Sequence, residues 1–545
     1  METLHSHHVS TFIFIFSLYI PFLSLANDII TPIQPLTINQ TLVSSGEVFE
    51  LGFFDLRNDN NLYLGIWYRQ IQPRTYVWLA NRDAPITSSF AKLTIGGDGN
   101  ISLVDRAEAA VWSSNRSTMA VDTVAQLLDS GNFVVRREDD ENPENYVWQS
   151  FDYPTDTLLP GMKLGLSRTT GIDRVMKSWK ADNDPGSGDY SYRININGFP
   201  EFVFLNKETV IYRSGPWNGI AFSGTPEMKG VSMIQFEFHN TFDEIYFSYE
   251  MVNSSVYSRL LVNSAGYLQR FIWTANAETW SLYWQFPRER CDNYGQCGRF
   301  GVCDMNSFPI CNCLNGFRPR DEYAWFKLQH GSNGCVRSSK LDCGSDGFLP
   351  LKNVKLPEGS KAFIDRSMNL SECGEICKRN CACMAYANMD VTRGGAGCAI
   401  WAVDLMDMKQ YAGYEGGGQD LYVRVAASDL GQSPTTINSK NGNNVVKIVG
   451  ITVGICAGLI TLLILVYLKR KNMRWSKKSI TYRIGLQESI EGETKMDELD
   501  LPLFDFTTLA IATNNFSDAN KLGQGGFGCV YKVAETRLAT IVELS

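Results

Sequence analysis

Two stretches of the chain are almost wholly apolar, and they frame everything else. Residues 11–25 read TFIFIFSLYIPFLSL, and residues 448–468 read IVGITVGICAGLITLLILVYL without a charge. Between them, short apolar runs are broken by Gly, Asn and Asp, the pattern of half-buried strands joined by tight turns. Residues 92–95 and 101–104 flank Gly-Gly-Asp-Gly-Asn, and 124–128 and 133–135 flank Asp-Ser-Gly-Asn. Each reads as a β-hairpin. The turn itself recurs: Asp98-Gly99-Asn100-Ile101 is followed some thirty residues later by Asp129-Ser130-Gly131-Asn132-Phe133. A repeated hairpin unit predicts a closed all-β fold of the β-prism kind. Strand-like alternation resumes in the aromatic-rich region 179–228 and again over 234–284.

The first apolar run is too short to span a bilayer and is followed by Ser24-Leu25-Ala26. It predicts a signal peptide over residues 1–26, although no Lys or Arg precedes it. The second run is long enough to cross roughly 30 Å of hydrocarbon at 1.5 Å per residue. Lys469, Arg470, Lys471, Arg474, Lys477 and Lys478 follow it with no acid among them, against Lys440 and Lys447 on the other flank. The basic side is expected in the cytosol, where it also meets anionic headgroups. The expected topology is type I in the plasma membrane, N-terminus outside.

Twelve of the fourteen cysteines fall between Cys291 and Cys398. Behind a signal peptide, an even cluster reads as disulfides formed in an oxidising compartment. Cys311-x-Cys313 and Cys381-x-Cys383 look superficially like zinc pairs, but no His supplements them, so no metal is expected. The first six cysteines follow C-x5-C-x5-C-x7-C-x-C with Cys335 at a distance, a spacing that leaves 15 connectivities open. Cys373, Cys377 and Cys381 stand four apart, as on one face of a helix. Asn39, Asn100, Asn115, Asn253 and Asn369 begin glycosylation sequons on the outer side; Asn515 does so on the inner side and is expected to stay bare. A net charge of −8 argues against nucleic-acid binding.

Longer motifs carry a family resemblance. YLGIWYRQI (63–71), VWLANRDAPI (77–86) and VWQSFDYPTDTLLPGMKLG (147–165) resemble the bulb-type lectin domain of plant S-locus glycoproteins and S-domain receptor kinases. DPGSGDYSYRI and RSGPWNGIAFSGTPEM are similar to the S-locus glycoprotein segment that follows it, where Trp217 and Phe222 are expected to pack in the core. Mannose-binding bulb lectins use Gln-x-Asp-x-Asn-x-Val-x-Tyr. Here Asp98 and Asn100 remain, but Gly96, Ser102 and Val104 replace the other three; the second copy stretches Asp129 and Asn132 by one residue and ends in Arg136. A lectin fold without mannose affinity is the expectation, because a site built on hydrogen bonds tolerates such losses poorly. The cysteine region resembles an EGF-like module and then a PAN/apple domain. The resemblance implies Cys291–Cys303, Cys297–Cys311 and Cys313–Cys335, then Cys373–Cys398 and Cys377–Cys383, with Cys343 and Cys381 unassigned.

Residues 501–532 resemble the entry to a plant receptor kinase domain, with Gly523, Gly525, Gly526, Gly528 and Val530 as its ATP-binding glycine-rich loop. The resemblance then stops. No Lys follows Lys532, and no His-Arg-Asp or Asp-Phe-Gly is present, so the loop is expected to be vestigial and the catalytic set empty. ATP and Mg²⁺ would belong only to a full-length kinase form.

The expected organisation is a multidomain, mainly β ectodomain with one transmembrane helix and a kinase N-lobe stub. Its divisions are signal peptide 1–26, bulb lectin 27–150, S-locus region 151–286, EGF-like module 287–325 and PAN/apple domain 343–425. A stalk 426–446, the membrane helix 447–468, a juxtamembrane stretch 469–516 and the stub 517–545 complete it. The expected function is a surface recognition receptor for an extracellular peptide, protein or carbohydrate, with dimerisation alongside related receptors and no working kinase. Alternatives are an incomplete copy of an active receptor kinase and a membrane-tethered sugar-binding lectin.

Overall fold

The computed structural model describes residues 27–115, 122–274, 278–412 and 418–430, and in the tail residues 517, 521–525, 528–532 and 541–543. The expected signal peptide and membrane segment lie outside the described residues. No helix among the described residues is long and apolar enough to cross a membrane.

Alternation makes the first strands. In Ala91–Ile95, residues 91, 93 and 95 are buried while Lys92 and Thr94 are not, and Leu93 pairs with Leu103 of Ile101–Asp105. Three four-stranded antiparallel sheets result. One holds Thr41–Val43, Phe49–Asp55, Leu62–Tyr68 and Tyr76–Leu79. The next holds Leu36–Thr37, Ala91–Ile95, Ile101–Asp105 and Ala110–Ser113. The last holds Ile29–Ile30, Thr123–Leu127, Phe133–Arg137 and Trp148–Gln149. The early strands at 29–30 and 36–37 cross to sheets two and three, which ties the three walls together. At the centre, Trp78, Trp112 and Trp148, one from the last strand of each sheet, meet edge to face with centroids 5.7–6.0 Å apart. Such pairs add about 0.5–1.5 kcal/mol beyond area burial. Gly131 has φ +83° and no room for a Cβ, which would meet Leu159 at 2.8 Å; the hairpin needs glycine there.

The S-locus region repeats the plan with three further four-stranded sheets. They contain Thr157–Leu158 with the run from Tyr257–Val262 to Trp280–Phe286, Leu164–Ser167 with Glu244–Met251, and Met176–Ala181 through Thr209–Pro216. Arg82 joins the trios, donating to the carbonyls of Pro185 (2.9 Å), Lys177 (3.0 Å) and Ser178 (2.6 Å). The Trp280 indole donates to Thr75 Oγ1 at 2.9 Å across the same junction. Trp217 and Phe222 pack ring to ring at 5.2 Å, with Phe222 in the core as expected.

The cysteine region departs from a string of separate modules. One eight-stranded sheet takes Gly301–Cys303 and Cys311–Cys313 from the first cysteine module and continues through Met408–Gln410, Gly347–Lys355, Gln419–Val425, Ala385–Asp390 and Ala396–Trp401 to Phe363–Asp365. The first module also runs past residue 325: Phe317–Pro319 pairs with Cys335–Arg337. Helix α1, Glu322–Phe326, sits between those strands. Helix α2, Leu370–Arg379, carries Cys373 and Cys377 but ends before Cys381, because Asn380 turns to an extended conformation. The expected three-cysteine helical face is therefore a two-cysteine face. Two of residues 426–430, expected in the stalk, are buried: Ala426 is 4% exposed, and Asp429 is 7% exposed and accepts from Ser339 Oγ at 3.0 Å.

Candidate functional site

Of the residues that resemble a sugar pocket, Asn100 and Asn132 tie their hairpins to the adjacent strand, while Asp98 and Asp129 are exposed. Asn100 donates from Nδ2 to Asp98 Oδ2 at 2.8 Å and accepts from Ser114 Oγ at 3.0 Å; Ser114 in turn accepts from the Ile101 N–H. The Asn100 side-chain and backbone amides hold the Asp98 carboxyl below the usual range. The second copy repeats this circuit. Asn132 accepts from Ser150 Oγ and the Phe151 N–H, each at 3.2 Å, and Ser150 accepts from the Phe133 N–H. Asn132 Nδ2 donates to Gln149 at 2.9 Å, and Asp129 accepts from the Gly46 N–H at 2.6 Å. Asn132 is 5% exposed. Two Asn–Ser latches close two hairpins.

Six disulfides hold the cysteine region: Cys291–Cys303, Cys297–Cys311, Cys313–Cys335, Cys343–Cys381, Cys373–Cys398 and Cys377–Cys383. Five are the pairs the resemblance implies, and the sixth joins the two cysteines it left unassigned. The sulfurs of Cys297, Cys303 and Cys311 gather within 4.8 Å, but each belongs to a disulfide and is not free to ligate a metal. Helix α2 is bounded at both ends. Asn369 accepts from the Ser371 and Glu372 N–H groups at 3.0 Å, and Glu372 returns the bond to the Asn369 N–H. At the other end the buried Arg424 donates to the carbonyls of Cys377 and Asn380, satisfying acceptors a helix terminus leaves open.

Buried charge clamps this region onto the second trio of sheets. Arg213, 1% exposed, pairs with Glu201 on the neighbouring strand and with Asp407 at 2.8 Å, and it donates to the Leu356 carbonyl at 3.0 Å. Lys355 reaches the same Asp407 oxygen at 2.7 Å, and the Gly295 N–H takes the other at 2.9 Å. The Gly359 N–H reaches Glu201 at 2.9 Å. Burial pushes the Glu201 carboxyl up against the pull of Arg213, and pushes the Lys355 ammonium down. Lys409 ties Asp292 (2.7 Å) and Glu289 nearby. For Asp292, burial raises the pKa, but Lys409 and the Arg288 N–H outweigh it and leave the carboxyl below its ordinary range.

In the tail, Lys521–Gly525 and Gly528–Lys532 form an antiparallel hairpin in which Gly523 faces Val530 and Gly525 faces Gly528; Gly526 lies outside the described residues. Ile541–Glu543 adds a third strand, with Glu543 opposite Val530. Of the sequon residues, Asn39, Asn115, Asn253 and Asn369 are exposed and Asn100 is half-buried.

Two features escaped the sequence reading. Val-Trp recurs at 77–78, 111–112 and 147–148, once per sheet, a threefold signal carried by the strands and not by the turns. The clamp left no such trace, since charges in strands ordinarily read as solvated positions.

Family models match in three places: the D-mannose binding lectin family over residues 75–180, the S-locus glycoprotein domain over 212–321 and the PAN-like domain over 342–408. A receptor-like serine/threonine-protein kinase of Arabidopsis thaliana is 45% identical over 96% of this chain and 63% of its own length. The chain thus spans under two thirds of that relative. An Arabidopsis thaliana relative described as an inactive G-type lectin S-receptor-like serine/threonine-protein kinase is 40% identical over 97% of both chains. An S-locus-specific glycoprotein of Brassica oleracea is 43% identical over 76% of this chain and 95% of its own.

Proposed function

Because the chain belongs to the G-type lectin S-receptor-like serine/threonine-protein kinase family, we propose that it is a single-pass recognition receptor of the plasma membrane with residues 27–430 outside the cell. The observation that carries this reading is the six-disulfide region clamped by buried ion pairs onto the sheets before it. Such a framework forms in an oxidising compartment, and it gives a stiff exterior from which to present a binding surface. The uncharged run 448–468 with its basic flank supplies the anchor. The EGF-like and PAN modules act as one unit through their shared sheet, and that unit is the surface for pairing with related receptors. Glycans occupy the exposed Asn39, Asn115, Asn253 and Asn369, with Asn100 the least accessible acceptor.

The ligand is an extracellular peptide, protein or small molecule, and mannose recognition is left out of this reading because Asn100 and Asn132 are engaged in the Asn–Ser latches and the Gln, Val and Tyr of the mannose motif are replaced. Phosphoryl transfer is left out as well. The strand beside the glycine-rich hairpin brings Ile541, Val542 and Glu543, with no lysine to hold phosphates. The relative described as inactive fits this view.

The test is to express the full chain with a C-terminal fluorescent tag in plant cells. A membrane-impermeant biotin reagent should label it, glycosidase should increase its mobility, and the tag should stay protected from external protease. An exposed tag or an unlabelled chain overturns the topology, and phosphate transfer from labelled ATP by the purified chain overturns the kinase reading.

A further inference from the structure

Between the three sheets of the second trio lies a cavity of about 320 Å³. Tyr192, Phe247, Trp284 and Phe286 supply much of its wall. Arg270 stands on the same lining and is 1% exposed. Its Nη1 donates to Ser258 Oγ at 3.1 Å, and its guanidinium lies 4.1 Å from the Tyr249 ring centre and 5.7 Å from that of Trp284. Its Nε has no hydrogen-bond partner among the described residues, and neither has the Tyr212 hydroxyl on the same wall. Burial depresses the Arg270 pKa, and the groups that oppose this are Tyr249, Tyr283 and Tyr192 rather than carboxylates. A buried cation without an anion is costly, and an aromatic cavity of this size with unpaired donors on its lining residues has the form of a small-molecule site. Arg288 and Tyr283, both partly exposed, mark where solvent reaches it.

We propose that this cavity binds a small organic monocarboxylate with a flat apolar body, its carboxylate accepting from Arg270 and its body lying among the aromatic walls. Tyr212 offers a second donor. A second negative charge on the ligand is disfavoured, because Glu227, paired with Arg288 at 2.8 Å, also lines the cavity. This assigns a ligand class to the recognition reading and rests on it only for its biological meaning; binding itself is measured without any membrane or signalling.

The experiment is calorimetric titration of the full chain, secreted by plant cells and purified in a non-ionic detergent. The probes are naphthalene-2-carboxylate, naphthalene-2-carboxamide and naphthalene-2,6-dicarboxylate. The monocarboxylate should bind at least tenfold more tightly than either of the others, and Arg270→Gln should erase its advantage over the amide. Since Arg270 is a buried position, a second variant guards the test. Met228→Trp, at a partly exposed lining residue, should fill the cavity and abolish binding while thermal unfolding stays close to wild type. Equal binding of acid and amide to the unaltered chain overturns the proposal, as does no binding of the acid, or acid binding unchanged in Met228→Trp. A failure of surface delivery would leave these titrations intact, so the two readings fall separately.

Discussion

The two trios of sheets share a plan and differ in what they do with the space inside it. The first fills its centre with Trp78, Trp112 and Trp148, one per sheet. The second leaves a cavity between its walls and puts the buried Arg270 on its lining. They differ in support too. The first is latched from within by Asn100–Ser114 and Asn132–Ser150 and joined to the second through Arg82, whereas the second carries a buried ion pair out of itself, from Arg213 to Asp407 beside the strand Met408–Gln410. Closing a set of sheets therefore does not decide whether they become a scaffold or a receptacle. The inward side chains decide that.

The largest effect is expected from the filled centre. Trp148→Ala removes one ring of the triad and should lower stability by about 3–5 kcal/mol, read from denaturant unfolding of the purified chain. A loss under about 1 kcal/mol would mean that the first trio is as loosely filled as the second. Next comes the buried ion pairing inside the cysteine region. Asp292→Asn leaves Lys409 with one anionic partner instead of two and should cost about 2 kcal/mol. The sign with pH follows from the direction of its shift. The folded Asp292 carboxyl titrates below its unfolded value, so its contribution is complete above about pH 4 and is lost as pH falls through the folded value. Wild-type chain should thus lose stability on acidification more steeply than Asp292→Asn; parallel curves would show that this carboxylate adds nothing to the pairing with Lys409.

A smaller effect separates a latch from a sugar site. Asn132→Ala strands the Phe151 N–H and the Ser150 hydroxyl and should cost about 1–2 kcal/mol. Retention of wild-type or mutant chain on immobilised mannan should be equally negligible. Mannan binding that vanishes in Asn132→Ala at unchanged stability would make the first trio a working lectin and reverse the contrast.

How much of this could be read in advance depended on the range of the interaction. The hairpin 91–95/101–105 was legible because alternation and a Gly-Asp-Gly-Asn turn lie within one short local stretch, and register follows from both. Five disulfides were accessible through the resemblance. Cys343–Cys381, 38 residues apart in sequence, depends on how helix α2 ends beside the sheet, and the even spacing of Cys373, Cys377 and Cys381 pointed the wrong way. Residues 426–430 look like linker by composition, yet Asp429 is held by Ser339 from ninety positions upstream. Arg213 and Glu201 lie in strands that later residues cover, and no local pattern announces a cover arriving from Asp407. The cavity was the least legible feature, because aromatic residues in a sequence show what is available to pack and not where packing fails.

The smallest expected change is the most informative about that cavity. Tyr212 is 1% exposed and its ring stacks on Phe286 at 4.9 Å, yet its hydroxyl has no partner among the described residues. In a filled core, Tyr→Phe removes a satisfied hydroxyl and typically costs about 1 kcal/mol. Here the hydroxyl is desolvated and unpaired, so Tyr212→Phe should be neutral or stabilising by up to about 1 kcal/mol. The ring stays in place, so any difference comes from the hydroxyl. If the hydroxyl serves a ligand, the same substitution should weaken naphthalene-2-carboxylate binding several-fold while leaving the amide unchanged. Stability and affinity then move in opposite directions at one atom, as expected where a fold keeps a polar group for something other than its own packing. A destabilisation near 1 kcal/mol with unaltered binding would show that Tyr212 is satisfied inside the protein, and the second trio would differ from the first in shape alone.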